Sequence, residues 1–192
     1  MNKHGKFIAV VGPSGVGKDS VIQGVISAIP KLKAVKRTIT RQPDLGGEAY
    51  HAVSEAAFAA ASSNSEFCLE WQAHGLRYGI PAYVQHDTEH GDWFIANLSR
   101  GVLVEASQLF ADFRVIQITA TPETLLKRLK QRGRENCSEI ADRLGRSLLP
   151  IASEITVYRV SNDGALKCTV NQVVQYLLQE TRSNTDVAAT HK

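Results

Sequence analysis

The sequence predicts an α/β fold in which helices flank a parallel sheet, and three observations support this prediction. Short apolar runs alternate along the 192 residues with stretches whose apolar residues recur at helical spacing. The first apolar run leads into a glycine-rich loop, which is followed at once by a helical pattern. A hydrophobic content of 43% is sufficient for one domain with a substantial core. Strands that alternate with helices in this way are typical of parallel sheets.

The glycine-rich loop follows a strand predicted at residues 7–11 and precedes a helix predicted to begin near Lys18. Strand, glycine-rich loop, lysine and helix in this order match a P-loop, in which backbone N–H groups and the helix N-terminus bind phosphate oxygens. Lys18 is placed to reach the outer phosphates of a nucleoside triphosphate. We therefore expect ATP to bind at Gly12, Pro13, Ser14, Gly15, Val16, Gly17, Lys18, Asp19 and Ser20.

One loop position departs from the usual pattern. The residue after the lysine is normally Ser or Thr, whose hydroxyl holds Mg²⁺, and here it is Asp19. A carboxylate is a hard oxygen ligand, so Asp19 is a candidate to hold Mg²⁺ directly or through water. Ser20 supplies the hydroxyl instead if the loop is shifted by one residue. A third interpretation is that Asp19 only stabilises the first helical turn by charge–dipole attraction.

The later part of the chain continues the alternation. Strands are predicted at residues 102–105, 115–119 and 156–160, and helices are predicted to begin near Glu123, Ser138 and Ala165. The last helix has the clearest pattern, because its apolar residues follow the i, i+3, i+4, i+7, i+8 spacing of one buried face. These residues are Val170, Val173, Val174, Leu177 and Leu178. The polar tail, residues 181–192, is expected to be flexible.

Residues 34–90 interrupt this alternation and predict an inserted lobe. They contain extended pieces, turns and one alanine-rich helix, which Ser54 is placed to cap. We expect a single domain whose core comprises residues 1–33 and 100–180. The inserted lobe is expected to bind the second substrate, the acceptor.

Composition and residue spacing indicate which partners, compartment and metal sites to expect. A net charge of +3 fits phosphate-rich small molecules better than nucleic acid, which requires a denser basic stripe. The three cysteines Cys68, Cys137 and Cys168 are widely spaced, which favours a reducing compartment in which each is a packing residue. Neither a signal-peptide core nor a membrane-spanning run is visible, so we expect a cytoplasmic protein. His86 and His90 are four residues apart, but no neighbouring motif completes a metal site.

Residues 37–51 are rich in groups that bind phosphate. Arg41 can hold a phosphate with two parallel hydrogen bonds, and Tyr50 offers a hydroxyl donor or packs inside the lobe. This segment resembles the acceptor lobe of the guanylate kinase family, which carries a Ser-x-x-Thr-Thr-Arg stretch followed by Gly-Glu. Two further stretches are similar to that family's Phe-x-Glu and Tyr-Gly-Thr elements. They are Phe67-Cys68-Leu69-Glu70-Trp71 and Leu76-Arg77-Tyr78-Gly79-Ile80-Pro81.

The resemblance implies roles for individual residues in the acceptor lobe. By this resemblance Arg41, Tyr50 and Tyr78 bind the acceptor phosphate. Glu70 accepts hydrogen bonds from acceptor hydroxyls. Glu48 orients the phosphate-binding arginines, and the alternative is an exposed carboxylate in a turn.

The resemblance also implies a kinase fold with a short lid at residues 132–143. Arg132, Arg134 and Arg143 would then be catalytic residues of the lid, and the alternative for each is a solvated surface charge. Asn162 and Asp163 would line the adenine side of the ATP site or, equally, form an ordinary turn that caps the last helix. Glu105, expected at a strand end, would lie near the metal through water.

Other positions depart from the guanylate kinases. Asp44 stands where those enzymes have a second arginine, and Arg37 and Ile80 stand at positions where a hydroxyl helps to read guanine. A site built to hydrogen-bond a base discriminates poorly once such groups are lost, so we do not expect guanine as the acceptor.

The chain resembles instead the ribose 1,5-bisphosphate phosphokinase branch of the family. The Lys18-Asp19-Ser20 variant of the loop and the run from Arg132 to Ile140 carry this resemblance. It implies phosphoryl transfer from ATP to the 1-phosphate of ribose 1,5-bisphosphate, giving 5-phosphoribosyl 1-diphosphate, with a role in phosphonate catabolism. Two alternatives stay open: a nucleoside monophosphate kinase, and a non-catalytic interaction module, against which the intact loop argues.

Overall fold

The structure is a computed structural model that describes residues 5–41, 50–132 and 151–186. The helix predicted to begin near Ser138 and the cysteine Cys137 lie outside these ranges. Within them, no helix combines the length and the apolar character that a membrane span requires.

The described ranges contain strands and helices in alternation. The strands are β1 (Lys6–Val11), β2 (Leu32–Ala34), β3 (Thr38–Ile39), β4 (His51–Ala52), β5 (Phe67–Ala73), β6 (Leu76–Pro81), β7 (Trp93–Asn97), β8 (Phe113–Thr119) and β9 (Val157–Ser161). The helices are α1 (Lys18–Ala28), α2 (Glu55–Ser63), α3 (Tyr83–Glu89), α4 (Leu103–Leu109), α5 (Pro122–Arg132) and α6 (Leu166–Asp186). A 3-10 turn at Arg100–Val102 leads into α4.

The larger sheet confirms the predicted parallel architecture. Its five strands lie in the order β2–β7–β1–β8–β9, and every neighbouring pair is parallel. All six residues of the central strand β1 are buried. Ile8 and Val10 face a core that includes residues of α1 and α6, while Phe7 and Ala9 face a second core that includes residues of α4. The loop after β1 therefore lies at the carboxyl edge of the sheet, where such folds bind ligands.

One predicted strand is wrong, and two strands of the larger sheet, β2 and β7, were missed. Residues 102–105 form the end of the 3-10 turn and the start of α4, because Val102, Leu103, Ala106 and Phe110 are buried at helical spacing. The strand in this part of the sheet is β7, a continuous run of five buried residues. The second segment of the core therefore begins at Trp93, before the expected residue 100.

The inserted region forms a second, four-stranded sheet in the order β4–β3–β6–β5. Helix α2 packs on it through Phe58, whose ring stacks on Phe67 at a centroid distance of 4.7 Å. The predicted cap is confirmed, because Ser54 Oγ accepts a hydrogen bond of 3.1 Å from the backbone N–H of Ala57. The alanines around Phe58 are exposed or half-buried, so this helix covers the sheet mainly through one aromatic side chain.

The last helix, α6, matches most of its predicted pattern. Val170, Val173 and Leu177 are buried, but Leu178 is 42% exposed and lies at the margin of the face. The helix continues to Asp186, beyond the expected start of the tail at residue 181. Cys168 is exposed on its first turn, so the expectation that it is a packing residue is wrong. Cys68 is half-buried, and burial raises the pKa of its thiol to about 11.

Helices α1 and α6 approach each other closely at Gly24. A Cβ atom added there would lie 2.5 Å from Cγ2 of Val170, which is closer than the contacts that Cβ atoms make in real proteins. Glycine within a helix costs about 1 kcal/mol relative to alanine, so its presence here is explained by the packing and not by helix propensity.

We expect Gly24→Ala to lower the melting temperature, because overpacking costs about 1–3 kcal/mol and exceeds the gain in helix propensity. In a Val170→Ala background the new methyl group has room, and the same change is expected to stabilise the protein. Thermal unfolding of the wild type, both single variants and the double variant measures this sign reversal. A loss of equal size in both backgrounds would contradict the packing explanation.

Candidate active site

The phosphate loop runs from Gly12 to Gly17, and its glycines are required by close contacts. Gly12, Gly15 and Gly17 have φ values of +156°, +80° and +92°. A Cβ atom on Gly12 would lie 2.4 Å from the carbonyl oxygen of Ile118, and one on Gly17 would lie 2.8 Å from Nδ2 of Asn162. The loop is therefore pressed against β8 and against the turn that follows β9, and larger residues do not fit.

Asn162 fixes the far side of this loop. Its buried side chain donates from Nδ2 to the carbonyl oxygen of Val16 at 2.7 Å, and its Oδ1 accepts from the Thr169 hydroxyl at 3.0 Å. Its backbone N–H donates to the carbonyl of Thr119 at 2.8 Å. Asn162 therefore ties the loop to β8 and to the first turn of α6.

Arg128 on α5 makes a second connection to the loop, and sequence reasoning missed it. Its guanidinium donates to the carbonyl oxygens of Val16 at 3.2 Å and of Asn162 at 2.7 Å. The planar fork of an arginine suits two fixed acceptors of this kind. The available signal was that Arg128 lies four residues before Arg132, and therefore on the same face of a helix.

Lys18 lies over the loop itself. Its Nζ donates to the carbonyl oxygens of Gly12 and Pro13, both at 3.0 Å. These two contacts keep the ammonium group inside the curve of the loop. A lysine in this position adds positive charge where the loop would meet an anion.

Asp19 and Ser20 point to different surroundings, although they are neighbours in the sequence. Asp19 Oδ1 accepts a hydrogen bond of 2.6 Å from Nδ2 of Asn97, a buried residue at the carboxyl end of β7. In the described part of the chain, no hydrogen bond engages Asp19 Oδ2. Ser20 is exposed and lines a cleft that the loop forms with Arg128 of α5. Gly17 caps α1, so the helix begins at Lys18 as predicted, without a shift of the loop.

Asp163 joins two turns at the same edge of the sheet. Its carboxylate accepts hydrogen bonds from the backbone N–H of Thr121 at 2.8 Å and from the hydroxyls of Thr121 and Ser161 at 3.0 and 2.6 Å. The Ser161 bond is the main reason that the pKa of Asp163 is held well below its usual range. The described contacts of Asp163 therefore belong to the turns after β8 and β9.

A cleft of about 330 Å³ opens beside the loop, and its volume suits part of a nucleotide. Residues of the loop, of α5 and of the turn before α6 line it, including Gly15, Ser20, Arg128, Asn162 and Gly164. The structure thus places predicted loop residues and Asn162 around one cleft.

The inserted lobe separates two residues that were expected to act together. Tyr78 on β6 stacks on Trp71 of β5, with ring centroids 5.2 Å apart and an interplanar angle of 7°. Glu70 lies on the opposite face, where it accepts hydrogen bonds from Ser62 at 2.9 Å and from Arg77 at 3.4 Å. The register pairs Glu70 with Gly79 and Trp71 with Tyr78, and successive side chains of a strand point to opposite faces. The structure therefore does not bring Glu70 and Tyr78 together on one face.

The structure describes some of the remaining residues that the sequence singled out, and others lie outside the described ranges. Arg41 and Tyr50 are the described residues on either side of residues 42–49, the segment that includes Asp44 and Glu48. Ile80 is fully buried in the core, where a base cannot reach it. Glu105 is exposed on α4, so its expected place at a strand end is wrong. The side chain of Arg132 lies outside the described part of the chain, as do Arg134 and Arg143.

Comparisons with known proteins agree with this geometry. The family model for guanylate kinase matches residues 4–179. A protein of Ruegeria sp. (strain TM1040), named ribose 1,5-bisphosphate phosphokinase PhnN, is 47% identical over 93% of this chain and 94% of its own length. A protein of the same name from Agrobacterium fabrum is 41% identical over 93% of this chain and 99% of its own length.

The fold is also similar to that of a solved structure. The crystal structure of guanylate kinase from Anaplasma phagocytophilum matches with a TM-score of 0.66 and 17% identity, over 93% of this chain and 87% of that one. The family match spans nearly the whole chain and includes the phosphate loop, the inserted sheet and the cleft. The chain therefore belongs to the guanylate kinase family.

Proposed function

We propose that this kinase transfers the γ-phosphoryl group of ATP to the 1-phosphate of ribose 1,5-bisphosphate. An oxygen of the acceptor phosphate forms a bond to the γ-phosphorus, and the bond from that phosphorus to the β–γ bridging oxygen breaks. The products are 5-phosphoribosyl 1-diphosphate and ADP, which leaves with the bonding electron pair. The names of two relatives that match over nine-tenths of the chain support this acceptor.

The observation that carries the proposal is a phosphate loop combined with two described lobe positions, Arg37 and Ile80, that offer no hydroxyl to a base. Ile80 is buried with Leu69 in the core, and the guanidinium of Arg37 lies 5.2 Å from the ring of Tyr78. The positions that would offer hydroxyls to a base are thus an apolar side chain and a cation. A cation beside a tyrosine suits an anionic acceptor better than a neutral base.

On the nucleotide side, Lys18 is proposed to bind the β- and γ-phosphates. It would exchange its contacts with the Gly12 and Pro13 carbonyls for charge-assisted contacts with phosphate oxygens. Asn162 and Arg128 keep the loop in shape during this exchange, because both hold the carbonyl of Val16. An anionic acceptor needs no strong base, so alignment and charge neutralisation supply most of the catalysis.

The described residues fit a magnesium ion on the side of the loop that faces β7. In kinases Mg²⁺ is usually held by one or two carboxylates together with substrate phosphates, and Asp19 offers a carboxylate whose orientation Asn97 fixes. Ser20 lines the cleft between the loop and α5, so it is the less suitable candidate to hold the ion. When bound, the ion would neutralise charge on the phosphate oxygens. Asp19 would hold it directly or through water.

On the acceptor side, Arg41, Tyr50 and Tyr78 are proposed to bind the phosphates of the sugar. Arg132, Arg134 and Arg143 are proposed to neutralise charge on the transferring group from the lid, with Glu48 orienting arginines in the lobe. These assignments rest on the family resemblance and on the chemistry of arginine as a permanently charged, planar donor.

The first experiment measures ADP release with Mg-ATP and either ribose 1,5-bisphosphate or GMP. We expect turnover with the sugar and at least about 10²-fold lower kcat/KM with GMP, because Arg37 and Ile80 offer no hydroxyl to the base. Lys18→Ala is expected to reduce kcat by about 10²-fold or more, since one strong donor to the transferring phosphate is lost. The exposed residue Lys130 provides a matched control, and Lys130→Ala should match the wild type.

Comparable turnover with GMP would refute the proposed acceptor and make the chain a guanylate kinase in activity as well as in family. Absence of turnover with both acceptors, in a protein that binds ATP, would refute both kinase reactions.

A second prediction concerns Asp19. Asp19→Asn removes the charge while keeping the size, so the Mg²⁺ concentration for half-maximal activity should rise about tenfold, as expected for the loss of a carboxylate ligand. Asp19→Ser, which restores the usual P-loop hydroxyl, should require less Mg²⁺ than Asp19→Asn. Calorimetric titration of a non-hydrolysable ATP analogue at several Mg²⁺ concentrations checks the same ordering without turnover. An unchanged Mg²⁺ requirement in Asp19→Asn would show that Asp19 does not hold the metal and only stabilises the helix.

A further inference from the structure

We propose that Trp71 is a substrate-binding residue, whose indole N–H donates a hydrogen bond to an oxygen of the bound sugar bisphosphate. The inference rests on the proposed function and adds a specificity-determining contact to it. It concerns a residue that neither the phosphate loop nor the family resemblance assigns.

The first support is the hydrogen bonding of the indole. Trp71 Nε1 is buried, yet it has no hydrogen-bond acceptor in the described part of the chain. Buried indole N–H groups normally find an acceptor, and an unsatisfied one calls for an explanation. A bound molecule that supplies an oxygen is such an explanation, because the contact is then made only in the complex.

The second support is the place of Trp71 in the smaller sheet. The register pairs Trp71 with Tyr78, Leu69 with Ile80 and Glu70 with Gly79. Trp71 and Tyr78 therefore share a face with Leu69 and Ile80, and these two belong to the core that contains Phe7 and other residues of the larger sheet. Glu70 and α2 lie on the other face. Trp71 thus lies on the side of the lobe that turns toward the larger sheet.

The third support is the charge beside the aromatic pair. The guanidinium of Arg37 lies 5.2 Å from the ring of Tyr78, which itself stacks on Trp71. Arg37 follows β2, a strand parallel to β1, so it lies near the same carboxyl edge as the phosphate loop. A cation, a phenol and an indole donor in sequence across one face suit a phosphorylated sugar, which offers both phosphate and hydroxyl oxygens.

The stack also fixes the direction of the donor. Trp71 and Tyr78 are nearly parallel, and the indole is packed against the core, so the N–H cannot turn freely toward water. A donor held in one direction loses little conformational entropy on binding and discriminates by position. The nitrogen is inaccessible to solvent, so binding requires a local adjustment of the side chains that cover it.

The test is Trp71→Phe, which keeps an aromatic ring for the stack, removes the donor and reduces the size of the side chain. We expect KM for ribose 1,5-bisphosphate to rise about tenfold, corresponding to about 1.4 kcal/mol, while KM for ATP changes less than twofold. The smaller ring also loses packing, so a lower melting temperature by itself decides nothing. A purely structural residue would give no selective change in KM for the sugar.

Trp93→Phe is the matched control, because it makes the same chemical change on the buried strand β7. It should leave KM for the sugar unchanged. It also leaves Trp71 as the only tryptophan in the chain, so fluorescence then reports on this residue alone. Titration with ribose 1,5-bisphosphate in the absence of nucleotide should shift or quench this emission.

The outcomes separate the two proposals. If the wild type uses the sugar and Trp71→Phe has the same KM for it, the role of Trp71 is refuted and the proposed function stands. If the wild type does not phosphorylate the sugar at all, the proposed function is refuted, together with the role of Trp71 that rests on it. Titrations with ribose 5-phosphate and with inorganic phosphate identify the oxygen source. A response to inorganic phosphate indicates a phosphate contact, a response to ribose 5-phosphate alone indicates a sugar oxygen, and no emission change with any of the three compounds refutes the contact.

Discussion

The hydrogen bond from the Asn162 side chain to the carbonyl oxygen of Val16 is the contact on which the site depends. It is made between residues 146 positions apart in the chain, so the loop reaches this shape only when β1, β8 and β9 have assembled. Arg128 adds a second donor to the same carbonyl from α5. Gly17 makes the arrangement possible, because any side chain there would collide with the Asn162 amide. The phosphate loop is therefore a product of the whole sheet and is not held by its own sequence alone.

The same sheet edge brings together groups with different tasks. Lys18 lies inside the loop, and Asn97 at the end of β7 holds the carboxylate of Asp19. The cleft that we propose for the nucleotide lies toward α5 and the turn after β9, whereas Asp19 faces β7. This division is consistent with a nucleotide approaching from one side of the loop and a metal and an acceptor from the other. The smaller sheet carries an aromatic pair, Trp71 and Tyr78, with the guanidinium of Arg37 beside it, and we propose that this face binds the acceptor.

Local sequence signals predicted a large part of the fold. The phosphate loop, the strands β1, β8 and β9, the Ser54 cap and the buried face of α6 all depend on residues close together in the chain. The strand β7 was missed because, unlike β1, its short apolar run is not followed by a glycine-rich loop, and such a run cannot be distinguished from a buried helical segment by periodicity alone. Residues 102–105 were assigned as a strand, although their apolar residues pack at helical spacing.

The site was less predictable where it depends on register and sheet order. Asn97 meets Asp19 because β7 lies beside β1, which no local pattern reveals. Glu70 was expected in the acceptor site, but the register of the β5–β6 hairpin pairs it with Gly79 and pairs Trp71 with Tyr78, so Glu70 lies against α2 and Trp71 lies on the face of Tyr78. A slip of one residue exchanges the two faces of a strand, so motif spacing alone could not decide between Glu70 and Trp71.

The measurement that tests the proposed reaction most directly is ³¹P NMR of the product formed from ATP and ribose 1,5-bisphosphate. We expect a new diphosphate whose inner phosphorus couples to the anomeric proton, together with an unchanged monophosphate coupled to the C5 protons. This pattern would place the transferred group on the 1-phosphate. A diphosphate at C5, or a product in which both monophosphates persist while ATP is hydrolysed, would contradict the account.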